Sequence, residues 1–86
     1  MKIIWDELKR LANLDKHGLD FADIDADFFL NAVLRPAKLG RFMAVGLRRD
    51  VAIVVIFARL GREGISIISM RPAQKAERSL LNAKKT

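Results

Sequence analysis

The chain has 86 residues and a net charge of +6, with no cysteine and one histidine. This length predicts one domain, 1–86, and the lack of cysteine excludes disulfides and thiolate metal sites, which favours an intracellular location. The longest apolar run, residues 51–58, is far shorter than the roughly 20 residues of a membrane helix, and acidic residues near the N-terminus argue against a signal peptide. The cytoplasm is therefore the expected location.

The N-terminal third predicts a short strand and two helices. Residues 3–5 form the predicted strand, and Asp6 is placed to cap a helix that ends near His17, before Gly18. The apolar residues of this helix predict its core face: Leu8, Leu11 and Ala12. Its polar residues predict a separate basic face: Lys9, Asn13, Lys16 and His17. Asp20 is expected to cap the second helix, whose apolar residues have helical spacing: Phe21, Ile24 and Phe28.

The remaining sequence predicts three strands and a final helix. Residues 34–40 contain Pro36 and Gly40, so a loop is expected there. The predicted strands follow: 41–47, 51–59 and 65–71. The middle strand is apolar on both faces, as expected for a central strand, and Pro72 is expected to open the last helix. The order β-α-α-β-β-β-α predicts an α+β fold with a mostly antiparallel four-stranded sheet, two N-terminal helices and one C-terminal helix.

Charge is distributed unevenly along the chain. Residues 1–27 carry four basic and seven acidic side chains, whereas residues 28–86 carry twelve basic and three acidic ones. A basic body favours a polyanionic partner, and nucleic acid is favoured over a membrane because no strongly amphipathic basic helix is present. A basic surface that only keeps the protein in solution is the alternative.

Several kinds of chemistry lack their motifs. A single histidine without cysteine gives no zinc site, and no calcium-binding loop occurs, so we expect no metal and no cofactor. Gly61 and Gly64 lack the Lys-Ser/Thr of a phosphate-binding loop and predict a hairpin turn. No Gly-x-Ser-x-Gly pattern supports a serine nucleophile.

Arginines stand at the ends of the predicted strands. Arg41 opens one strand, Arg59 closes the next and Arg71 closes the last, so we expect some of them to converge. Guanidinium groups can clamp a phosphate and stabilise a phosphoryl transition state without a metal. At Arg71 a predicted helix start would add backbone N–H groups. The alternative is that each arginine only solvates the edge of the sheet.

Two other residues are candidates for proton transfer. His17 is the side chain best suited to acid–base chemistry near neutral pH, although a histidine before Gly18 also suits a helix C-cap. Glu77 is a candidate base, with a surface ion pair as the alternative. The aromatic residues are expected in the core rather than stacked on bases: Trp5, Phe21, Phe28, Phe29, Phe42 and Phe57.

Residues along nearly the whole chain resemble the BrnT family of bacterial toxins. The resemblance rests on these residues: Trp5, Asp6, Glu7, Lys9, Asn13, Lys16, His17, Gly18, Phe21, Arg41, Phe42, Gly46, Arg59, Ile67, Ile68, Ser69, Met70, Arg71, Glu77 and Arg78. It implies a RelE-like fold, metal-independent RNA cleavage, and a BrnA-type antitoxin that covers the toxin. That antitoxin would carry the DNA-binding region that represses the shared operon, and toxin and antitoxin would form a higher-order complex.

The residues and the resemblance together give one set of site candidates. The catalytic candidates are Arg71, Arg59, His17, Glu77 and Lys9. The candidates for RNA contact are Arg41, Lys16 and Arg78. The sequence departs from the family at three places. The family commonly has Arg where this chain has Ser66, Tyr-Thr where it has Phe57 and Ala58, and Tyr near Leu81.

Three functions are compatible with this sequence. The first is an endoribonuclease toxin that inhibits translation. The second is a degenerate toxin-like module that only binds its antitoxin and contributes to operon repression, which the departures favour. The third is a basic nucleic-acid-binding domain unrelated to toxins.

Overall fold

The computed structural model describes residues 1–85, with side chains described through residue 83. The strands in this part of the chain are Lys2–Trp5 (β1), Val33–Pro36 (β2), Phe42–Arg48 (β3), Val51–Leu60 (β4) and Gly64–Pro72 (β5). The α-helices are Glu7–His17 (α1), Ala26–Asn31 (α2) and Lys75–Lys85 (α3), and short 3₁₀ helices occupy Phe21–Asp23 and Lys38–Gly40. None of the helices within residues 1–85 has the length and hydropathy to cross a membrane.

The strands form a single mixed sheet in the order β1-β5-β4-β3-β2. β1 pairs with β5 in parallel, and the other three pairings are antiparallel. The predicted α+β class is confirmed, but the prediction of four strands is wrong because β2 lies in the segment expected to be a loop. β2 is an edge strand and ends at Pro36. Proline has no N–H to donate, which is tolerated here because an edge strand has a neighbouring strand on one side only.

The first helix begins and ends as predicted. The Asp6 carboxylate accepts a hydrogen bond from the Leu8 N–H, and Gly18 ends α1 with a φ of 70° while its N–H donates to the Leu14 carbonyl. A left-handed residue at this position favours glycine because a Cβ would be strained.

The face of α1 that contacts the sheet differs from the prediction. Leu8 and Leu11, expected in the core, have 76% and 48% of their surface exposed, whereas Asn13 is buried. The Asn13 side chain accepts a hydrogen bond from the Met70 N–H and donates one to the Leu19 carbonyl. β1 pairs with β5 only as far as Ile67, so Asn13 satisfies a backbone donor on β5 beyond the end of β1. Hydrogen bonding of this edge, rather than apolar burial, sets the orientation of α1.

The other two helices begin later than predicted. Asp20 caps only the 3₁₀ helix, and α2 is capped by Asp25, which accepts a hydrogen bond from the Phe28 N–H. Pro72 ends β5 opposite Ile53 instead of opening a helix. α3 starts at Lys75 because the Glu77 carboxylate accepts a hydrogen bond from the Gln74 N–H, as in a capping box.

Apolar side chains pack on both faces of the sheet. The larger cluster lies under α2 and the turn after α1 and includes Phe21, Ile53 and Ile67, while the smaller cluster under α3 includes Val54 and Leu81. Adjacent residues of β4 enter opposite clusters, which confirms the prediction of a central strand buried on both faces. The predicted aromatic residues lie in or against the larger cluster: Trp5, Phe21, Phe28, Phe29, Phe42 and Phe57.

Candidate active-site cleft

An open cleft of about 440 Å³ lies between α1 and the last residues of β5. Four of the predicted site residues line it: Lys9, Lys16, His17 and Arg71. The first three share one side of α1, as the helical spacing predicted, and Arg71 approaches from the strand. The cleft therefore has a cationic wall on the helix and a guanidinium on the sheet, which suits an anionic ligand.

Two features of the backbone hold these walls together. The pairing of β4 with β5 shifts register between Ile56 and Phe57, because Ile56 pairs with Ser69 and Phe57 pairs with Ile67. Ile68 is thus an extra residue, and β-bulges of this kind redirect the side chains beside them. The bulge is followed by Met70, whose N–H donates to Asn13 at 3.0 Å and so fixes the distance between strand and helix.

The position of α1 is also held by ionic contacts near its start. The Arg10 guanidinium donates to Glu7 and, at 3.1 Å, to both carboxylate oxygens of Asp20. The hydrogen bond from Arg10 is the main cause that lowers the pKa of Glu7. The pKa of Asp20 is lowered mainly by the hydrogen bond from the Ala22 N–H and further by Arg10. Arg10 therefore connects α1 to the 3₁₀ helix that follows it.

Arg71 is bound by Glu77 through two hydrogen bonds of 2.7 Å each. Its Nη1 also donates to the Pro72 carbonyl at 3.4 Å. Of the five N–H groups of a guanidinium, three are accounted for, and the Nε edge has no partner among the described residues. That side-on edge is the one that can bind two phosphate oxygens at once.

Glu77 is placed to hold Arg71 and the start of α3. Its side chain is only 14% exposed, and the hydrogen bonds from Arg71 are the main cause that lowers the pKa of Glu77, with the Gln74 N–H adding to the effect. The same ion pair raises the pKa of Arg71. A general base that works near neutral pH needs a raised carboxyl pKa, so these contacts favour a positioning role for Glu77.

The three strand-end arginines do not converge on one site. Arg71 lies opposite Val54, whereas Arg59 lies opposite Ile65, six residues back along β5 and roughly 20 Å away by the rise of a strand. Arg41 immediately precedes β3, whose first residue pairs with Phe57, so it lies at the same end of the sheet as Arg59. Antiparallel pairing brings the end of β4 to the beginning of β5, and this separates Arg59 from Arg71.

Arg78 lies outside the cleft as well. It is exposed on α3, and its guanidinium donates to the Ala73 carbonyl at 2.9 Å. Two polar residues of the cleft were not among the site candidates, Asn13 and Ser69. The sequence did give a signal for Asn13, which lies on the polar face of the first helix. It gave none for Ser69, because the bulge beside it has no recognisable sequence pattern.

No cluster of three or more potential metal-ligating side chains occurs within the described residues. The cationic side chains that line the cleft are Lys9, Lys16 and Arg71, and the His17 imidazole lies beside them.

Comparison with known proteins identifies the family of this chain. The family model described as "Ribonuclease toxin, BrnT, of type II toxin-antitoxin system" matches residues 5–77. The crystal structure of the Brucella abortus ribonuclease toxin BrnT is similar to this chain with a TM-score of 0.82 and 53% identity, covering 87% of this chain and 99% of that one. No match was found among curated proteins. The chain belongs to the BrnT family of ribonuclease toxins of type II toxin-antitoxin systems.

Proposed function

We propose that the chain 1–86 is a single toxin domain that cleaves RNA at the cleft without a metal ion and thereby inhibits translation in the cytoplasm. The observation that carries the proposal is the convergence of Lys9, Lys16, His17 and Arg71 on one concave surface. These residues supply positive charge and an imidazole, and RNA cleavage by its own 2′-hydroxyl requires nothing else from the protein.

The reaction would proceed through attack of the 2′-oxygen on the adjacent phosphorus. A base removes the 2′-hydroxyl proton, the bond from phosphorus to the 5′-oxygen breaks, and an acid protonates that oxygen, which leaves a 2′,3′-cyclic phosphate and a 5′-hydroxyl. His17 is the candidate for proton transfer, with Lys9 as its partner. The Nε edge of Arg71 and the Lys16 ammonium would stabilise the phosphorane charge.

The antitoxin partner follows from family membership, and its mode of action is part of the proposal. A BrnA-like antitoxin would cover the cleft, and a segment with acidic and apolar residues would match both the cationic wall of α1 and the exposed Leu8 and Leu11 beside it. DNA would be bound only through the antitoxin, in a higher-order complex. The proposed function also implies that the helices are arranged on the sheet as in RelE-like ribonucleases.

A second candidate is a degenerate toxin that retains only antitoxin binding. The Arg71–Glu77 ion pair favours it, because each charge satisfies the other in the absence of RNA. Ser66 adds to it, since serine brings no positive charge where arginine is common in the family.

The two candidates are distinguished by assaying purified protein on RNA in the presence of EDTA, with and without ribosomes. The first predicts fragments with 2′,3′-cyclic phosphate ends and at least a hundredfold loss of activity in His17→Asn and in Arg71→Lys, which retains the charge but not the fork. Arg49→Gln, in an exposed turn, is the matched control and should remain active. Absence of cleavage under every condition, together with co-purification of the antitoxin, would establish the degenerate module instead.

A further inference from the structure

One face of the sheet is only partly covered by a helix. α3 packs mainly on β2 and β3 and contacts β5 through the Arg71–Glu77 ion pair. Farther from this pair, the β1 and β5 side of the face is open, and Ile4 is exposed there. Ser66 lies on this open face because Ile65 and Ile67 on either side of it enter the core under α2. Its neighbours across the sheet are Ile4 and Ala58, so the surface between them carries no charge.

Cations surround the far end of this face. Lys2 and Arg62 border a depression of about 560 Å³ together with Ile4 and Leu60, which are 39% and 46% exposed. Glu63 also lines it, so with Arg41 beside it this end carries three cations against one carboxylate. Arg41 lies at the same end of the sheet, and strand alternation places it on this face because Phe42 enters the core on the other side. Lys2, Arg41 and Arg62 form no ion pair with any described residue.

The opposite end of the same face is Arg71. The alternation of β5 places Arg71 and Ser66 on the side opposite Met70 and Ile67, and the two serines of the strand lie between Arg71 and the cationic end. The open face is therefore a track of small side chains with a guanidinium at one end and cations at the other. Proteins bind a single strand of nucleic acid through lysine and arginine, which contact its phosphates, and through an apolar surface that contacts its bases.

We propose that this open face binds the RNA strand that flanks the scissile phosphate. Lys2, Arg41 and Arg62 bind backbone phosphates, and Ile4 and Leu60 form an apolar floor for a base. The inference rests on the proposed function because it places the scissile phosphate at Arg71. Cations stand at both ends of the track, which suits a backbone that carries charge along its whole length and favours RNA over an acidic protein segment at this surface.

The distance between the two ends sets the length of RNA that reaches both. From Arg71 to Gly64, which pairs with Lys2, the strand runs roughly 20 Å. A stacked strand advances about 3.4 Å along its axis per nucleotide, so this length corresponds to roughly six stacked nucleotides. A trinucleotide therefore occupies only one end, whereas a twelve-nucleotide RNA occupies both.

Binding is tested with uncleavable 2′-O-methyl oligonucleotides of three and twelve nucleotides. The variant Lys2→Gln/Arg62→Gln is compared with Arg49→Gln/Lys75→Gln, which removes the same charge from exposed positions elsewhere. Two lost phosphate contacts should reduce the slope of log K against log salt by about 1.4 for the twelve-nucleotide probe. The control should retain the wild-type slope. The trinucleotide should bind at the Arg71 end, next to the cationic wall of α1, so neither variant should alter its binding.

Cleavage of a twelve-nucleotide RNA provides a second readout. Lys2→Gln/Arg62→Gln should raise KM several-fold with kcat unchanged. Equal salt slopes for both variants would overturn the inference, as would a variant that binds RNA normally but loses the antitoxin. The 2′-O-methyl probe needs no catalysis, so the binding test does not depend on the proposed activity. If the wild type cleaves no RNA but Lys2→Gln/Arg62→Gln still has a smaller salt slope than the control, the proposed activity is refuted and the binding track is supported.

Discussion

The two ends of the sheet differ in how their charges are balanced. At the end where β3 and β5 finish, Arg48 pairs with Asp23 at 3.1 Å and Arg71 pairs with Glu77 at 2.7 Å. At the opposite end, Lys2, Arg41, Arg59 and Arg62 have no ion pair with a described residue. We call the first the paired end and the second the basic end.

This difference separates residues that stabilise the fold from residues available to a ligand. A charge that is paired and hydrogen-bonded orients neighbouring elements, whereas an exposed cation with no partner contributes little to stability and much to attraction of polyanions. Substitutions that break the contacts of the paired end should therefore change the free energy of unfolding, and at Arg71 they should change RNA cleavage as well. Those at the basic end should change binding.

The largest loss of stability is expected for Asn13→Ala. This change leaves the buried Met70 N–H and the partly buried Leu19 carbonyl without their hydrogen-bond partner, at a cost of about 3 kcal/mol. Urea denaturation measures the effect, with the exposed Asn82→Ala as the control. An Asn13→Ala protein as stable as this control would show that the bridge between α1 and β5 does not hold the paired end.

Gly46→Ala should cost about 2 kcal/mol. A Cβ at Gly46 would lie 2.6 Å from Cε2 of Phe28, whose buried ring packs edge to face against Phe29. The test is a double-mutant cycle with Phe28→Leu, which removes the clash. If the two losses simply add, the close contact between β3 and α2 is not the cause.

Glu77→Gln should cost about 1 kcal/mol at pH 7 because it removes the charge that Arg71 binds. The pKa of Glu77 in the folded protein lies below its unfolded value of about 4.3, so its stabilisation is complete above that value and is lost as pH falls through the folded pKa. Unfolding curves of the wild type and Glu77→Gln should therefore converge in acid. A difference that persists there would assign the loss to the cap on Gln74 instead.

The smallest change in stability is expected at the basic end. Arg59→Gln/Arg62→Gln removes two exposed cations and should alter the free energy of unfolding by less than about 0.5 kcal/mol. Affinity for single-stranded RNA should fall in the same protein. A destabilisation comparable to that of Glu77→Gln would abolish the distinction between the two ends.

Local signals in the sequence predicted local structure well. Asp6 and Gly18 fixed both ends of α1, and the doubly apolar pattern of β4 identified the central strand, because caps and burial act within a few residues. The cationic face of α1 was likewise predicted, and it lines the cleft.

Features that depend on distant residues were predicted poorly. β2 exists because it pairs with β3, and its own sequence, which ends at Pro36, resembles a loop. Leu8 and Leu11 face outward because the Met70 N–H needed Asn13, a requirement set 57 residues away along the chain. The separation of Arg59 from Arg71 is likewise a result of strand register, which a single sequence does not encode locally.

The parallel pairing of β1 with β5 also governs when the cleft can form. α1 precedes in sequence the strand that completes its cleft, and the hydrogen bond that joins the two connects residues 57 positions apart. Contacts between such distant segments are slow to form. The cleft is therefore assembled only once the first and last strands of the sheet have met, so a partly folded chain does not present it.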